Sequence, residues 1–495
     1  MKHINKLVLV ALGATMFNCS QDFDHPVEDI QITSGDANFS KYIALGNSLT
    51  SGYRDNALFK SGQENSYPNI MAGQMKAAGG GEFKIPYVPN DIGGFSDLKD
   101  KNGDLVYLGK LNLKIEGGAL TPVPSTPGGV FDNVAAAGPY QNMGVPGAKS
   151  YHLVAPGYGN PAGLKTDPAT ANPYFVRFSN SAATSVIEQA VAQKPTFFSY
   201  WIGNNDVLGY ATSGGVGVDH NETKNLDPRT YGTNDISNAN VVKSTINDGL
   251  KALVATGAKG VIANIPSVTA IPYFTTVPGT PITGLSDAQV AALMSAQAYG
   301  KYNAGLGQAK SAGLLTDAEY QQRLIKFTAG SAINGAVIVD KDLKNLSALG
   351  LPNYRQTTSK DLIVLTALSL LKQGGGTQTA LEDKYVLTEK ETAKAEAAVA
   401  KYNTAIAELA TAYNLALVDA YTEMQKLSSK SGIKYYGQTY TTTFVSGGAF
   451  SLDGVHLTGN GYAIVANMFI DAVNKKYHSN LRNVYPGGYP GIAIP

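Results

Sequence analysis

Residues 41–53 read KYIALGNSLTSGY, and the reading of this stretch decides how the rest of the chain is understood. Tyr42, Ile43, Ala44 and Leu45 run straight into Gly46, after which the residues turn small and polar: Asn47, Ser48, Thr50 and Ser51. The first half suits a buried strand, and the second suits a nucleophile presented at that strand's carboxyl end. In an open parallel α/β sheet, that end is where ligands bind. A loop hydroxyl needs a base before it can attack, so Ser48 directs the search to the histidines.

The chain has six histidines. His3 and His25 lie in a leader and a tether, and His478 follows the last predicted helix. His152 and His220 stand in polar loops, His220 beside Asp219. His456 is better placed, in the run LDGVHLT just before the C-terminal helix, with Asp453 three residues earlier. From that spacing Asp453 can fold back to accept the imidazole Nδ1–H, which fixes the tautomer and leaves Nε2 to take a proton from a serine. An acyl-transfer site also needs donors aimed at the developing oxyanion. Gly147 offers an unobstructed backbone N–H, Asn205 a side-chain amide at the end of a buried strand, and Ser48 its own N–H.

Outward from residues 41–53 the elements alternate in the βα manner, which predicts a parallel sheet. Helices are expected over 66–78, 179–193, 240–256, 388–413 and 457–475, and strands over 195–202, 260–265 and 415–418. The helix over 388–413 is the clearest: Thr388 and Glu391 form a capping box, and Val399, Tyr402, Ile406, Leu409 and Tyr413 make one apolar stripe. Residues 142–150, NMGVPGAKS, read as a glycine-bearing loop. Residues 82–140 are rich in glycine and proline and read as a β-rich insertion, with a hairpin turn at 101–104. Residues 272–385 break the rhythm, with helical pieces over 287–299 and 317–327. They read equally as a cap over the site and as a packed auxiliary subdomain. The apolar run 362–371 would suit a lipid if it lined the cleft.

At 495 residues, one to three domains are admissible, and 43% apolar with 16% charged residues fits a globular chain. A net charge of +1 provides no basic field for a phosphate backbone, which argues against nucleic-acid binding. No H-E-x-x-H and no paired Cys/His spacing points to a metal, and neither a Gly-Lys phosphate loop nor a dinucleotide fingerprint is complete.

Residues 1–18 read as a secretory leader: Lys2 and Lys6, then an apolar run, then Cys19. Cys19 is the single cysteine, so no intrachain disulfide can form. Its position resembles the lipidated cysteine of bacterial lipoproteins, although Asn18 replaces the usual small residue before it. The plainer alternative is an ordinary leader with an incidental cysteine. Residues 19–39 form a tether whose first part is acidic (Asp22, Asp24, Glu28, Asp29), similar to the start of surface-exported lipoproteins.

Four separate stretches together resemble the SGNH hydrolases, or GDSL-type esterases and lipases. The family's first block matches Gly46-Asn47-Ser48-Leu49-Thr50. Its Asn-x-Gly-x-x-Gly loop matches residues 142–147, its Gly-x-Asn-Asp matches Gly203-Asn204-Asn205-Asp206, and its Asp-x-x-His matches Asp453 to His456. The resemblance implies a flavodoxin-like α/β/α sandwich around a five-stranded parallel sheet, here with large insertions at 82–140 and 272–385. It makes Ser48 the nucleophile, His456 the base, Asp453 its orienter, and Ser48, Gly147 and Asn205 the oxyanion hole, with no cofactor and no metal. The hydrolase domain would span 40–480, followed by a tail over 481–495. The expected substrate is a lipid, an acetylated glycan or a small ester. The expected setting is the bacterial cell envelope, as an outer-membrane lipoprotein held through a lipid on Cys19. The family's usual aspartate after the first glycine is Asn47 here. That departure and the large insertions motivate an alternative, a non-catalytic surface binding lipoprotein on the same scaffold.

Overall fold

The computed structural model describes residues 31–495. The leader, Cys19 and the first part of the tether lie outside the described residues.

Five segments pair into one all-parallel sheet: β1 (Tyr42–Gly46), β2 (Asn142–Gly144), β3 (Phe197–Trp201), β4 (Lys259–Ala263) and β5 (Ala416–Val418). Their spatial order is β2-β1-β3-β4-β5, the flavodoxin-like order. The chain reverses direction across the sheet between β1 and β3, and a doubly wound sheet opens its ligand crevice at that point.

Every residue of β1 and β3 is buried, because helices cover both faces of the sheet and leave no polar alternation. The flanking helices are α1 (Ser48–Ser51), α2 (Tyr67–Met75), α3 (Val186–Val191), α4 (Asn205–Thr212), α5 (Ala239–Val254), α6 (Glu389–Ala412), α7 (Ala420–Ser428) and α8 (Gly459–Tyr477). Neighbouring residues of β3 show the two layers. Trp201 packs edge-on against Tyr67 of α2 and tilted against Phe469 of α8. Tyr200 turns the other way, toward Gly249 of α5 and Ile187 of α3. The capping box of α6 is formed as its sequence predicts, Thr388 Oγ1 accepting from the Glu391 N–H.

Residues 82–140 carry two antiparallel hairpins, Phe95–Lys99 with Leu105–Tyr107 and Gly109–Glu116 with Ala119–Ser125. They stand on a small separate cluster around Leu58, Phe59, Phe95 and Tyr174. The core of residues 272–385, with Ile325, Ile338 and Ile363, is continuous with that of the sheet.

Several sequence expectations need correction. The loop expected over 142–150 begins as a strand: Asn142–Gly144 pairs with Ala44, Leu45 and Gly46 as the edge of the sheet. The helix expected over 179–193 is only Val186–Val191, because Ser185 and Glu188 form a capping box that starts it there. The piece expected over 287–299 stops at Leu293, and a distinct helix, Tyr299–Ser311, follows. The apolar run 362–371 is a short strand, Leu362–Ile363, then a turn and the helix Leu368–Lys372. Its buried members Ile363, Val364 and Ala367 fill core rather than cleft.

Candidate active site

β1 ends at Gly46, where a Cβ would lie 2.2 Å from Thr50 Oγ1 and 2.3 Å from the Trp201 carbonyl oxygen. Only glycine lets the chain turn this tightly into α1. Asn47 caps that helix, its Oδ1 accepting the Leu49 N–H at 3.1 Å. Ser48 is therefore the first helical residue, at the carboxyl end of β1. Asn142 of β2 holds the turn from the other side, its Nδ2 donating to the Thr50 carbonyl at 3.0 Å.

Ser48 Oγ lies 2.9 Å from His456 Nε2, and His456 Nδ1 lies 2.9 Å from Asp453 Oδ2. With the proton on Nδ1 donated to the carboxylate, Nε2 accepts the serine hydroxyl. This is the relay an acyl-transfer nucleophile requires.

Asp453 is fixed from several directions. Its Oδ1 accepts from the Val455 N–H (2.9 Å), the His456 N–H (2.8 Å) and Ser451 Oγ (3.1 Å), and its Oδ2 also accepts the Asn56 N–H (2.9 Å). Burial alone would raise the pKa of this carboxyl. The opposing charge of His456 and these hydrogen bonds outweigh burial and hold it well below the usual carboxylate range.

The Asn56 N–H reaches Asp453 because Asp55 and Asn56 both adopt left-handed backbone, φ +51° and +60°. Two further bonds tie this turn to the late one: Asp55 N–H to Ser451 Oγ, and Leu452 N–H to Asp55 Oδ1. Tyr53 packs its ring on the imidazole, 4.7 Å between centroids, and donates its hydroxyl to the Asn56 carbonyl. Segments 396 to 408 residues apart in the chain are thus joined at one rim.

The expected oxyanion donors stand on two adjoining pieces. Gly147 has φ +80°, a conformation that favours glycine. Among the described residues, neither the Gly147 nor the Ser48 amide has an acceptor in the chain. Asn205, at the start of α4, gives one Nδ2 hydrogen to the Ala148 carbonyl at 2.9 Å and keeps the other. Asp206 clamps the two pieces together, accepting the Ser150 N–H at 2.7 Å and the Ser150 hydroxyl at 2.9 Å. Its carboxyl is raised by burial, against the pull of Ser150 and of the Lys149 ammonium.

Residues 272–385 do not line the pocket that Ser48, Asn205 and His456 border. They touch the site from behind, where the Tyr273 N–H donates to the Gly454 carbonyl at 2.9 Å and so braces the turn between Asp453 and His456.

The structure thus brings Ser48, Asp453 and His456 into one relay and places Gly147 and Asn205 beside it. Sequence reading gave no task to Tyr53, Asn56, Ser451, Asn204 or Asp206. Their signal was weak, since each acts through contacts with distant segments. His220 is engaged elsewhere, 2.8 Å from Asp235 and stacked on Tyr231.

No protein-family model matches this chain, and no curated protein matches it. Among solved structures it is similar to an acetylxylan esterase from Geobacillus stearothermophilus, at 10% identity over 90% of this chain and 98% of the other, TM-score 0.32. It is also similar to a GDSL-like lipase from Parabacteroides merdae, at 10% identity over 89% and 99%, TM-score 0.30. A third is an alpha/beta hydrolase from a Lake Arreo metagenome, at 10% identity over 88% and 96%, TM-score 0.32.

Proposed function

We propose that this chain is a serine ester hydrolase of the SGNH type, working through an acyl-enzyme at the bacterial cell envelope. The observation that carries the reading is the unbroken relay from Ser48 Oγ to His456 to Asp453, each step at 2.9 Å.

Ser48 Oγ attacks the ester carbonyl as His456 Nε2 takes its proton. The carbonyl oxygen becomes an oxyanion facing the Ser48 and Gly147 amides and Asn205 Nδ2. Collapse breaks the ester C–O bond, and His456 passes its proton to the departing alcohol. Water then attacks the acyl-serine with His456 again as base, releasing the acid and restoring Ser48.

Asn47, the residue that motivated a non-catalytic reading, supports the site. It caps the nucleophile's helix and hydrogen-bonds Asn204. The envelope location rests on the leader and Cys19, which precede the described residues. The test of the reaction is hydrolysis of nitrophenyl butyrate by the wild type and by Ser48→Ala. Loss of activity in a folded variant supports the reading, and retained wild-type turnover rejects it.

A further inference from the structure

After α8 the chain folds back along the helix it has just left. Asn460, Asn467 and Asn474 of α8 stand seven residues apart, close to two helical turns, and so share one face. Each grips the returning chain. Asn474 bonds both the N–H and the carbonyl of Leu481 at 2.9 Å. Asn467 does the same to Val484, at 2.8 and 2.9 Å, and Asn460 donates to the Pro486 carbonyl at 3.0 Å. The segment then reaches the first residue of α8, where Pro490 lies on Gly459. A Cβ on Gly459 would come 2.7 Å from the Pro490 ring and 2.8 Å from its carbonyl oxygen.

At that point the segment meets Arg54. Arg54 donates from Nη1 to the Pro490 carbonyl at 3.4 Å, from Nη2 to the Gly491 carbonyl at 3.2 Å, and from Nε to Asp55 Oδ2 at 2.9 Å. Both Arg54 and Asp55 are buried. Two carbonyls on one edge set the plane of the guanidinium, and the plane sets the direction of the Nε–H. Asp55, held at Oδ2, presents Oδ1 to the Leu452 N–H at 3.0 Å and its own N–H to Ser451 Oγ at 2.9 Å. Since Ser451 Oγ accepts there, its proton is left for Asp453 Oδ1, 3.1 Å away. Asn56, the next residue, puts its N–H on Asp453 Oδ2, the oxygen that also takes the His456 Nδ1–H.

We propose that Arg54 is a positioning residue for the relay, fixing Asp453 through Asp55, and that residues 481–491 are the brace that holds Arg54 in place. The proposal rests on Ser48, His456 and Asp453 as the reacting set. Arg54 bonds none of the three. Without its guanidinium, Asp55 would be a buried carboxylate that has lost its bonded counter-charge, and it would relieve itself by moving toward water. The left-handed turn at Asp55 and Asn56 would move with it, and Asp453 would lose the donors from Ser451 and Asn56. The carboxylate would still lie beside His456, but no longer in one orientation. The cost therefore falls on turnover, not on substrate binding.

The test uses the full chain and nitrophenyl butyrate. Arg54→Ala should lower kcat by about 10- to 100-fold with KM within about twofold of wild type, the size expected when a reacting group is misplaced from a distance. Arg54→Lys, which keeps a charge beside Asp55 without the fixed fork, should recover part of that loss. Gly459→Ala leaves Arg54 and Asp55 intact but sets a methyl against Pro490, and should lower kcat at least about threefold at unchanged KM. Circular dichroism identifies any variant that has not folded. If Arg54→Ala does not fold, Arg54→Lys and Gly459→Ala decide. A kcat within about twofold of wild type in every folded variant, or a loss confined to KM, overturns the proposal. A loss in the Arg54 variants alone would keep Arg54 and overturn the brace.

A second readout does not depend on turnover. The His456 Nδ1–H bonded to Asp453 should give a low-field proton resonance, assigned by its disappearance in His456→Ala, because a hydrogen bond to a carboxylate is short and strong. Arg54→Ala and Gly459→Ala should shift or broaden it while the rest of the spectrum stays that of a folded protein. A resonance that responds to Arg54 in a chain without Ser48-dependent hydrolysis would keep the positioning role and sink the hydrolase reading. Ser48-dependent hydrolysis with kcat and resonance untouched in both variants would do the reverse. A wild type lacking both the resonance and hydrolysis would sink the two together.

Discussion

Asn47 Nδ2 donates to Asn204 Oδ1 across 3.3 Å, joining the turn after β1 to the turn after β3 directly behind the nucleophile. An aspartate at position 47 would keep the bond from the Leu49 N–H, since a carboxylate caps a helix equally well. It would also face an oxygen of Asn204, a conflict that Asn204 relieves by reversing its amide.

That relationship makes a double-mutant cycle informative. Asn47→Asp and Asn204→Asp should each hold kcat within about threefold of wild type, because each leaves one amide able to donate across the gap. The double variant sets two carboxylates against one another, and kcat should fall at least about tenfold, with a lowered Tm, as like charges at this range cannot both ionise. The check is ester hydrolysis and thermal melts for all four proteins.

Asn205→Ala removes the side-chain donor of the oxyanion group while leaving the relay in place. kcat should fall about 10²- to 10³-fold with little change in KM, as expected for a contact made chiefly in the transition state. Steady-state kinetics against a single short-chain ester gives the answer.

Asp453→Asn breaks the orienting bond to His456 and puts an amide where five donors now converge. kcat should drop by about 10⁴-fold through the wrong imidazole tautomer. Tm should also fall, because the new NH₂ meets hydrogens in place of lone pairs.

His152 gives the fold a pH dependence of its own. Its ring stacks on Tyr158, 4.6 Å between centroids, and its Nδ1 accepts the Lys149 N–H at 3.1 Å, a bond open only to the neutral ring. Burial, aided by the Lys149 charge, lowers its pKa from 6.5 to about 3. Between those values the unfolded chain holds a proton that the folded chain does not. This contribution is therefore complete above pH 6.5 and is lost progressively as pH falls toward 3. Denaturant midpoints from pH 7.5 to about 4.5 should decline less steeply in His152→Phe, which keeps the stacking and cannot be protonated.

Residues 42–45 and 195–202 could be read as buried strands because they are mostly apolar runs stopped by glycine. The helix over 388–413 could be read from a capping box and a stripe at helical spacing. β2 could not: Asn142–Gly144 has three residues and no alternation, and becomes a strand only because β1 offers it an edge. The relay was legible at its two ends, Ser48 and His456, since each sits in a short motif. Its support was not. The left-handed turn at Asp55 and Asn56 and the Asp206 clamp on Ser150 both depend on where distant segments meet.

The central claim is that Ser48 is made nucleophilic by His456. Its most direct measurement is the mass of the intact folded protein after exposure to a serine-directed fluorophosphonate, followed by peptide mapping. The account predicts one adduct per chain, on the peptide carrying Ser48, formed by the wild type and abolished in His456→Ala. A folded wild-type protein that takes no label, or takes it on another residue, would contradict it.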